Sequence, residues 1–279
     1  MRPSLVLLLD ISVLPSLGAR DKIELARRIA ERLGPEFEAQ QTLIGEARLP
    51  GLLHLPSGVH FVIPPTGRFE MGFTERDRAA LQAAVPSSEW IAAFADDLTR
   101  TSRPVRSVRV KPFVVSVRPL KLEEVSRLQP GHKPVDMFLR ADAIHFVEST
   151  GCRLPSEAEL EWLAREGGQH SFVANGSSCY AEDGAYPDHG EWGLERLTRG
   201  EWAADDWHDD YHGAPEDSSA WLRGDPRGSY RGSLPFGVDD DPSEVALGLA
   251  CNRGRNRNTD GASDGVRFMV RLARDIPED

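Results

Sequence analysis

Apolar positions along the chain change their period several times, and each change marks an element. Residues 5–9 are a continuous apolar run closed by Asp10, and residues 5–11 read as a buried strand. From residue 21 to 33 the spacing turns helical, with Ile23, Ala26, Ile29, Ala30 and Leu33 on one face. Gly34-Pro35 ends that helix, because Gly accepts left-handed geometry and Pro cannot continue the ladder. Strand-like pieces follow, then Pro56-Ser57-Gly58 as punctuation. Residues 59–63 alternate toward a strand, broken by Pro64-Pro65. Thr74 with Asp77 three positions on begins a helix, and a second helix is expected from about residue 89 to 98. A strand over 105–117 carries Val108, Val110 and Phe113, and short helices fit 120–128 and 141–149. The pattern predicts a mixed α+β domain over 58–279, preceded by a small strand–helix preface over 1–57.

Residues 151–168 are the best specified stretch. Ser156 and Glu159 form a capping box, in which two orphan backbone N–H groups are satisfied reciprocally. Glu157 and Glu159 suit the positive start of a helix, Arg165 suits its end, and Gly167-Gly168 stops it. Beyond Gly167 the chain is rich in Gly, Asp, Arg and Trp, with little periodicity. Aromatic anchors and side-chain-to-backbone hydrogen bonds must hold such a half.

Charge narrows the function classes. Among 279 residues, 33 Lys and Arg stand against 44 Asp and Glu, a formal net charge of −11. That balance argues against broad binding to nucleic acid or anionic membrane, which need positive charge. No run of about 18 apolar residues suggests a spanning helix. The apolar run at the start is cut by Asp10 before it reaches the length of a secretory core, so a cytoplasmic protein is expected. Three cysteines, Cys152, Cys179 and Cys251, lack the close spacing of a local thiolate metal site.

The segment 153–168, reading R-L-P-S-E-A-E-L-E-W-L-A-R-E-G-G, resembles the signature of the formylglycine-generating enzymes, or sulfatase-modifying factors. Further motifs resemble that family in the same order. They are Phe69-Glu70-Met71-Gly72, the strand from Pro104 to Phe113, Pro134-Val135 followed by Asp142-Ala143, and Gly193-Leu194. Glu201-Trp202 with Asp205, Arg231-Gly232-Ser233, Asn258-Thr259-Asp260 and Gly265-Val266-Arg267 complete the series, leaving 1–57 unmatched. The resemblance implies a formylglycine-generating-enzyme-like fold, related to C-type lectins.

It also implies an oxidase that holds copper between two cysteines, since soft thiolates select Cu(I). Counted back from Asn258, those cysteines fall near Pro242 and Leu247, and neither position is Cys. Copper is therefore not expected. Calcium is not expected either, since Leu197-Thr198-Arg199-Gly200 places a positive charge where the family's calcium loop runs. Asn175-Gly176 and Glu182-Asp183 offer only some of the oxygens that Ca²⁺ needs.

Other candidates carry a bland reading beside the sharp one. His208 and His212 are four apart, as metal ligands on a helix would be. Four Asp within 205–210 favour a solvated loop instead. Arg253 and Arg257 stand in a local basic run that could grip a partner's carboxylates, while Arg255 and Arg267 are expected to pair internally with Glu157, Glu161 or Asp205. Cys251 could be a lone nucleophile with His208 or His212 as base, but an isolated Cys is more often a small core hydrophobe. Tryptophans 162, 192, 202, 207 and 221 are expected to fill the core, with Trp202 and Trp207 the candidates to line a binding groove. The expected function is a non-catalytic binding module for another protein or peptide, without metal or cofactor. The alternative is an enzyme that uses the same cavity for a different oxidation or modification.

Overall fold

The computed structural model describes residues 4–84, 89–130, 138–171, 190–195, 200–226, 228–232, 249–255 and 269–277. Helix α1 (Leu5–Leu9) stands where a strand was expected. Only Leu5 and Leu9, one turn apart, are buried, whereas Val6 and Leu7 are exposed, and Ser4 caps the start. A run of five apolar residues fits either element, and here tertiary contact decided it. The chain leaving α1 binds instead through Ile11 N–H to Thr66 O at 2.8 Å and Thr66 N–H to Leu9 O at 2.7 Å.

Helix α2 (Ala19–Leu33) buries Leu25, Ala26, Ile29, Ala30 and Leu33 on one face and ends at Gly34, φ 113°. It lies against strands β1 (Phe37–Ala39) and β2 (Gly51–His54). These two strands do not stand apart from the rest. With β3 (Val59–Val62), β6 (Phe113–Ser116) and β10 (Ala273–Asp275) they form one antiparallel sheet, in the order β1-β2-β3-β6-β10. The expected boundary at 57/58 thus falls between two hydrogen-bonded neighbours, β2 and β3.

The expected strand over 105–117 is two strands. Strand β5 (Arg106–Val110) pairs with β4 (Gly67–Met71) as a separate ribbon, while β6 joins the large sheet. Lys111-Pro112 makes the break, since Pro offers no N–H to a ladder. Between these elements lie helices α3 (Glu75–Ala84) and α4 (Glu89–Thr101), with a small core of their own: Phe73, Leu81, Ile91, Leu98, Leu249 and Cys251. Helices α5 (Leu122–Leu128) and α6 (Arg140–Ser149) follow.

Helix α7 (Glu157–Ala164) is buried along its whole length and lies against β4, β5 and β8. Its capping box is present: Ser156 Oγ accepts from Glu159 N–H at 3.1 Å, and Glu159 Oε2 accepts from Ser156 N–H at 2.9 Å. Trp162 is fully buried and donates its indole N–H to Pro65 O at 2.9 Å. The irregular half is tied together by β7 (Glu201–Trp202), β8 (Ser229–Arg231) and β9 (Arg253–Arg255). In that sheet Glu201 lies opposite Arg231, which lies opposite Arg253. No helix among the described residues is long and apolar enough to cross a membrane.

Candidate functional site

Helix α7 carries Glu157 and Glu161 four residues apart, and Arg165 follows at the same interval, so all three share a face. That face is turned inward and meets arginines from the small sheet. Glu161 Oε1 accepts from Arg165 Nε at 2.9 Å and from Gly72 N–H at 2.8 Å, while its Oε2 accepts from Arg231 Nη2 at 2.6 Å. Arg165 then reaches α3, where Asp77 accepts two parallel bonds at 2.8 and 2.9 Å. Glu157 Oε1 accepts from Arg253 Nη2 at 2.8 Å and Nε at 3.2 Å. The Tyr211 hydroxyl accepts from Arg231 at 2.8 Å and faces Glu157 at 3.3 Å.

Gly72 is the hinge of this cluster. Its φ of 108° turns its N–H onto Glu161 and its C=O onto Arg165, and an added Cβ would lie 2.5 Å from Ser102 O. Only Gly takes that geometry without strain, which is a physical reason for the glycine of the Phe69–Gly72 motif.

Three acids (Asp77, Glu157, Glu161) face three arginines (Arg165, Arg231, Arg253), and all six are buried. Buried charges persist only when paired and hydrogen-bonded. Burial alone would raise the Glu157 carboxyl, yet Arg253 and Arg231 outweigh it and hold it below the usual range. The same contest lowers Asp77, where Arg165 and the Thr74 donors prevail. Asp205 is the acid left over. Among the described residues its side chain accepts backbone N–H groups, from Glu157 at 2.7 Å and Trp221 at 2.8 Å. Burial and the nearby Glu157 charge push its carboxyl up to about 7.

The cluster supports the loops that frame a cavity of about 360 Å³, lined by Trp207, His208, Asp209, Asp210, His212, Trp221 and Asp225. Trp207 joins the two regions: the Arg253 guanidinium lies 4.2 Å from its ring centroid, and its indole N–H donates to Asp209 at 2.9 Å. The His208 ring stacks on Trp221 at 3.5 Å, with the planes 1° apart.

The structure places the sequence candidates as follows. Arg253 does not face a partner; it is buried and bound to Glu157, the role expected of Arg255. Arg257, Arg267, Cys179 and the positions near Pro242 and Leu247 lie outside the described residues, as do the side chain of Arg255 and the loop oxygens weighed for calcium. Trp202 is fully buried, with its indole N–H on Phe138 O at 2.8 Å, so it lines no groove. Trp207 does line the cavity. His208 and His212 share that cavity, but no group of three or more metal-ligating side chains forms among the described residues. Cys251 is fully buried, and burial, with the Asp77 charge, pushes its thiol up. It lacks the exposed, electropositive setting of a reactive thiol.

Sequence reading missed Arg231, Asp77 and Tyr211 as members of the cluster, and assigned Arg165 only to the end of a helix. The signal was there in part: Glu157, Glu161 and Arg165 form a charged stripe on a helix whose other residues, the capping Glu159 apart, are apolar.

This arrangement defines a mixed α/β protein whose irregular half is organised by buried ion pairs. Its backbone is similar in overall fold to the structure of PvdO from Pseudomonas aeruginosa, with a TM-score of 0.54 and 22% identity, covering 78% of this chain and 95% of that one. Treponema denticola variable protein 1 matches with a TM-score of 0.46 and 12% identity, over 88% of this chain and 100% of that one. No family model matches the chain, and no curated protein does.

Proposed function

We propose that the chain is a non-catalytic relative of the formylglycine-generating enzymes, with their C-type-lectin-like fold, acting as a binding module for another polypeptide. The ordered motifs from Phe69 to Arg267 support the family reading, and the likeness to PvdO agrees with it in fold. One observation carries the function: the carboxylates of the α7 cluster are spent on internal ion pairs. Glu157, Glu161 and Asp77 are each bound to an arginine, and Tyr211 is pushed up by burial and stays protonated. Cys152 and Cys251 are both free and buried in different hydrophobic clusters, so these two thiols do not converge on one metal.

The test is direct. The full chain is incubated with Cu(I) and a peptide carrying C-x-P-x-R, and the peptide cysteine is followed by mass. The proposal expects the thiol to survive. Conversion of the cysteine, abolished by Cys251→Ser, would overturn it.

A further inference from the structure

We propose that the cavity framed by residues 207–212 and 221–225 receives an alkylammonium group, supplied by a lysine side chain of a partner polypeptide. This deepens the binding-module reading and rests on it. The argument begins with charge. Asp209 and Asp210 line the cavity, and none of the described residues that line it is a lysine or an arginine. Asp209 accepts the Trp207 indole N–H and has no ion pair among the described residues. Asp210 is held below its usual range by the N–H and ring of His212, so it stays anionic. His212 itself is 78% exposed and pairs with Asp210 at 3.1 Å only when protonated.

The aromatic walls supply the second half. Trp207 and Trp221 both line the space, and an ammonium group is drawn to an indole face as well as to a carboxylate. His208 cannot swing out to neutralise Asp209. Its Nδ1 lies 3.2 Å from Asp206 O, its ring is stacked on Trp221, and its far edge lies beside Gly224, where an added Cβ would be 2.7 Å from Nε2. Arg253 lies over the Trp207 ring, but its charge is matched by Glu157.

The walls are also tied down before any ligand arrives. Trp207 and Asp225 exchange backbone hydrogen bonds at 3.0 and 2.8 Å. Asp205 holds Trp221 N–H, and Asp206 holds Arg223 N–H at 2.8 Å and Gly224 N–H at 3.3 Å. Arg223 takes a φ of 72°, an uncommon geometry for a residue with a Cβ, and those bonds keep it there. Little ordering is left for the ligand to impose. The volume of about 360 Å³ exceeds one ammonium group and leaves room for the alkyl stem of a lysine. An anion would meet the carboxylates, and an uncharged apolar ligand would strip their water without return.

The experiment titrates the full chain with three probes, followed by tryptophan fluorescence: Nα-acetyl-lysine methylamide, its norleucine isostere, and a seven-residue peptide with one central lysine. The lysine amide is expected to bind at least about tenfold tighter than the norleucine compound, and the peptide tighter still. Asp209→Asn, which keeps an oxygen for the Trp207 indole, should weaken the lysine probes about tenfold with the unfolding midpoint unchanged. Trp221→Ala gives a second reading of the same loss. Equal binding of norleucine and lysine, no saturable binding, or an unchanged affinity in Asp209→Asn would each overturn the proposal. A peptide no better than the amide would overturn the polypeptide source. Turnover of the cysteine peptide described above would instead refute the binding-module reading, whatever these titrations show.

Discussion

Replacing Arg253 by Met tests the central energetic claim, that the interior is held by satisfied ion pairs. The guanidinium makes two bonds to Glu157, donates to Thr101 O and His208 O, and lies over the rings of Trp207 and Tyr211 at 4.2 and 4.7 Å. Methionine keeps a comparable apolar stem and loses every one of these. Glu157 would be left with the Tyr211 hydroxyl at 3.3 Å and Arg231 at 3.7 Å. Removing one member of a buried pair costs about 3–5 kcal/mol, because the other charge stays buried. For a domain of this size that corresponds to a fall in Tm on the order of 6–20 °C. The assay is urea unfolding followed by tryptophan fluorescence, with the slope checked for unchanged cooperativity. Glu157→Gln placed in the same chain removes the orphan charge and should return about 1–3 kcal/mol. Arg27→Ala breaks an exposed pair with Glu24 at 3.4 Å and should leave the midpoint in place. The reasoning fails if Arg253→Met moves the midpoint no more than Arg27→Ala does, or if the double variant is no better than the single one.

Three further outcomes are expected. Asp205 titrates at about 7 in the folded chain against 3.8 for an ordinary Asp, so its proton favours folding at acid pH. That contribution is lost as pH rises from about 4 through about 7, and urea midpoints across the range should show a slope that Asp205→Asn flattens. Cys152 and Cys251 should resist iodoacetamide in the native chain and react in urea, as read by peptide mass; rapid native labelling of Cys251 would contradict its burial. Ser156→Ala removes the α7 cap and the bond to Ser218 O at 2.8 Å, and should cost about 1–2 kcal/mol in the same unfolding assay.

Local chemistry was legible where it is self-contained. The stop of α2 at Gly34 and the α7 capping box appear as read, because each depends on residues within a turn or two of one another, whereas on the α2 face Leu25 is buried and Ile23 only half-buried. The candidate site was legible only in its acids. Glu157 and Glu161 were named as buried partners for arginine, yet Arg253 on β9 and Arg231 on β8 fill that role. Which of several arginines in one basic run turns inward depends on strand register, and Arg231 lies opposite Arg253 only once β8 and β9 have paired. Trp202 and Trp207 look alike in sequence, but one is sealed beneath Phe138 and the other opens onto a cavity.

By itself, then, the sequence determined helices α2 and α7 with their ends, the acidic balance and the residue types available for pairing. Periodicity and capping act over a few residues, so they are written along the chain. Tertiary structure alone decided that residues 5–9 coil rather than extend, that β1 and β2 share a sheet with β3, and that the chain between Arg106 and Ser116 divides between two sheets. It also decided that Asp205 accepts the backbone N–H groups of Glu157 and Trp221 and that the loops around Trp207 and Trp221 close upon an acidic cavity. Each depends on groups brought together from distant parts of the chain, where burial rather than local preference sets the energy.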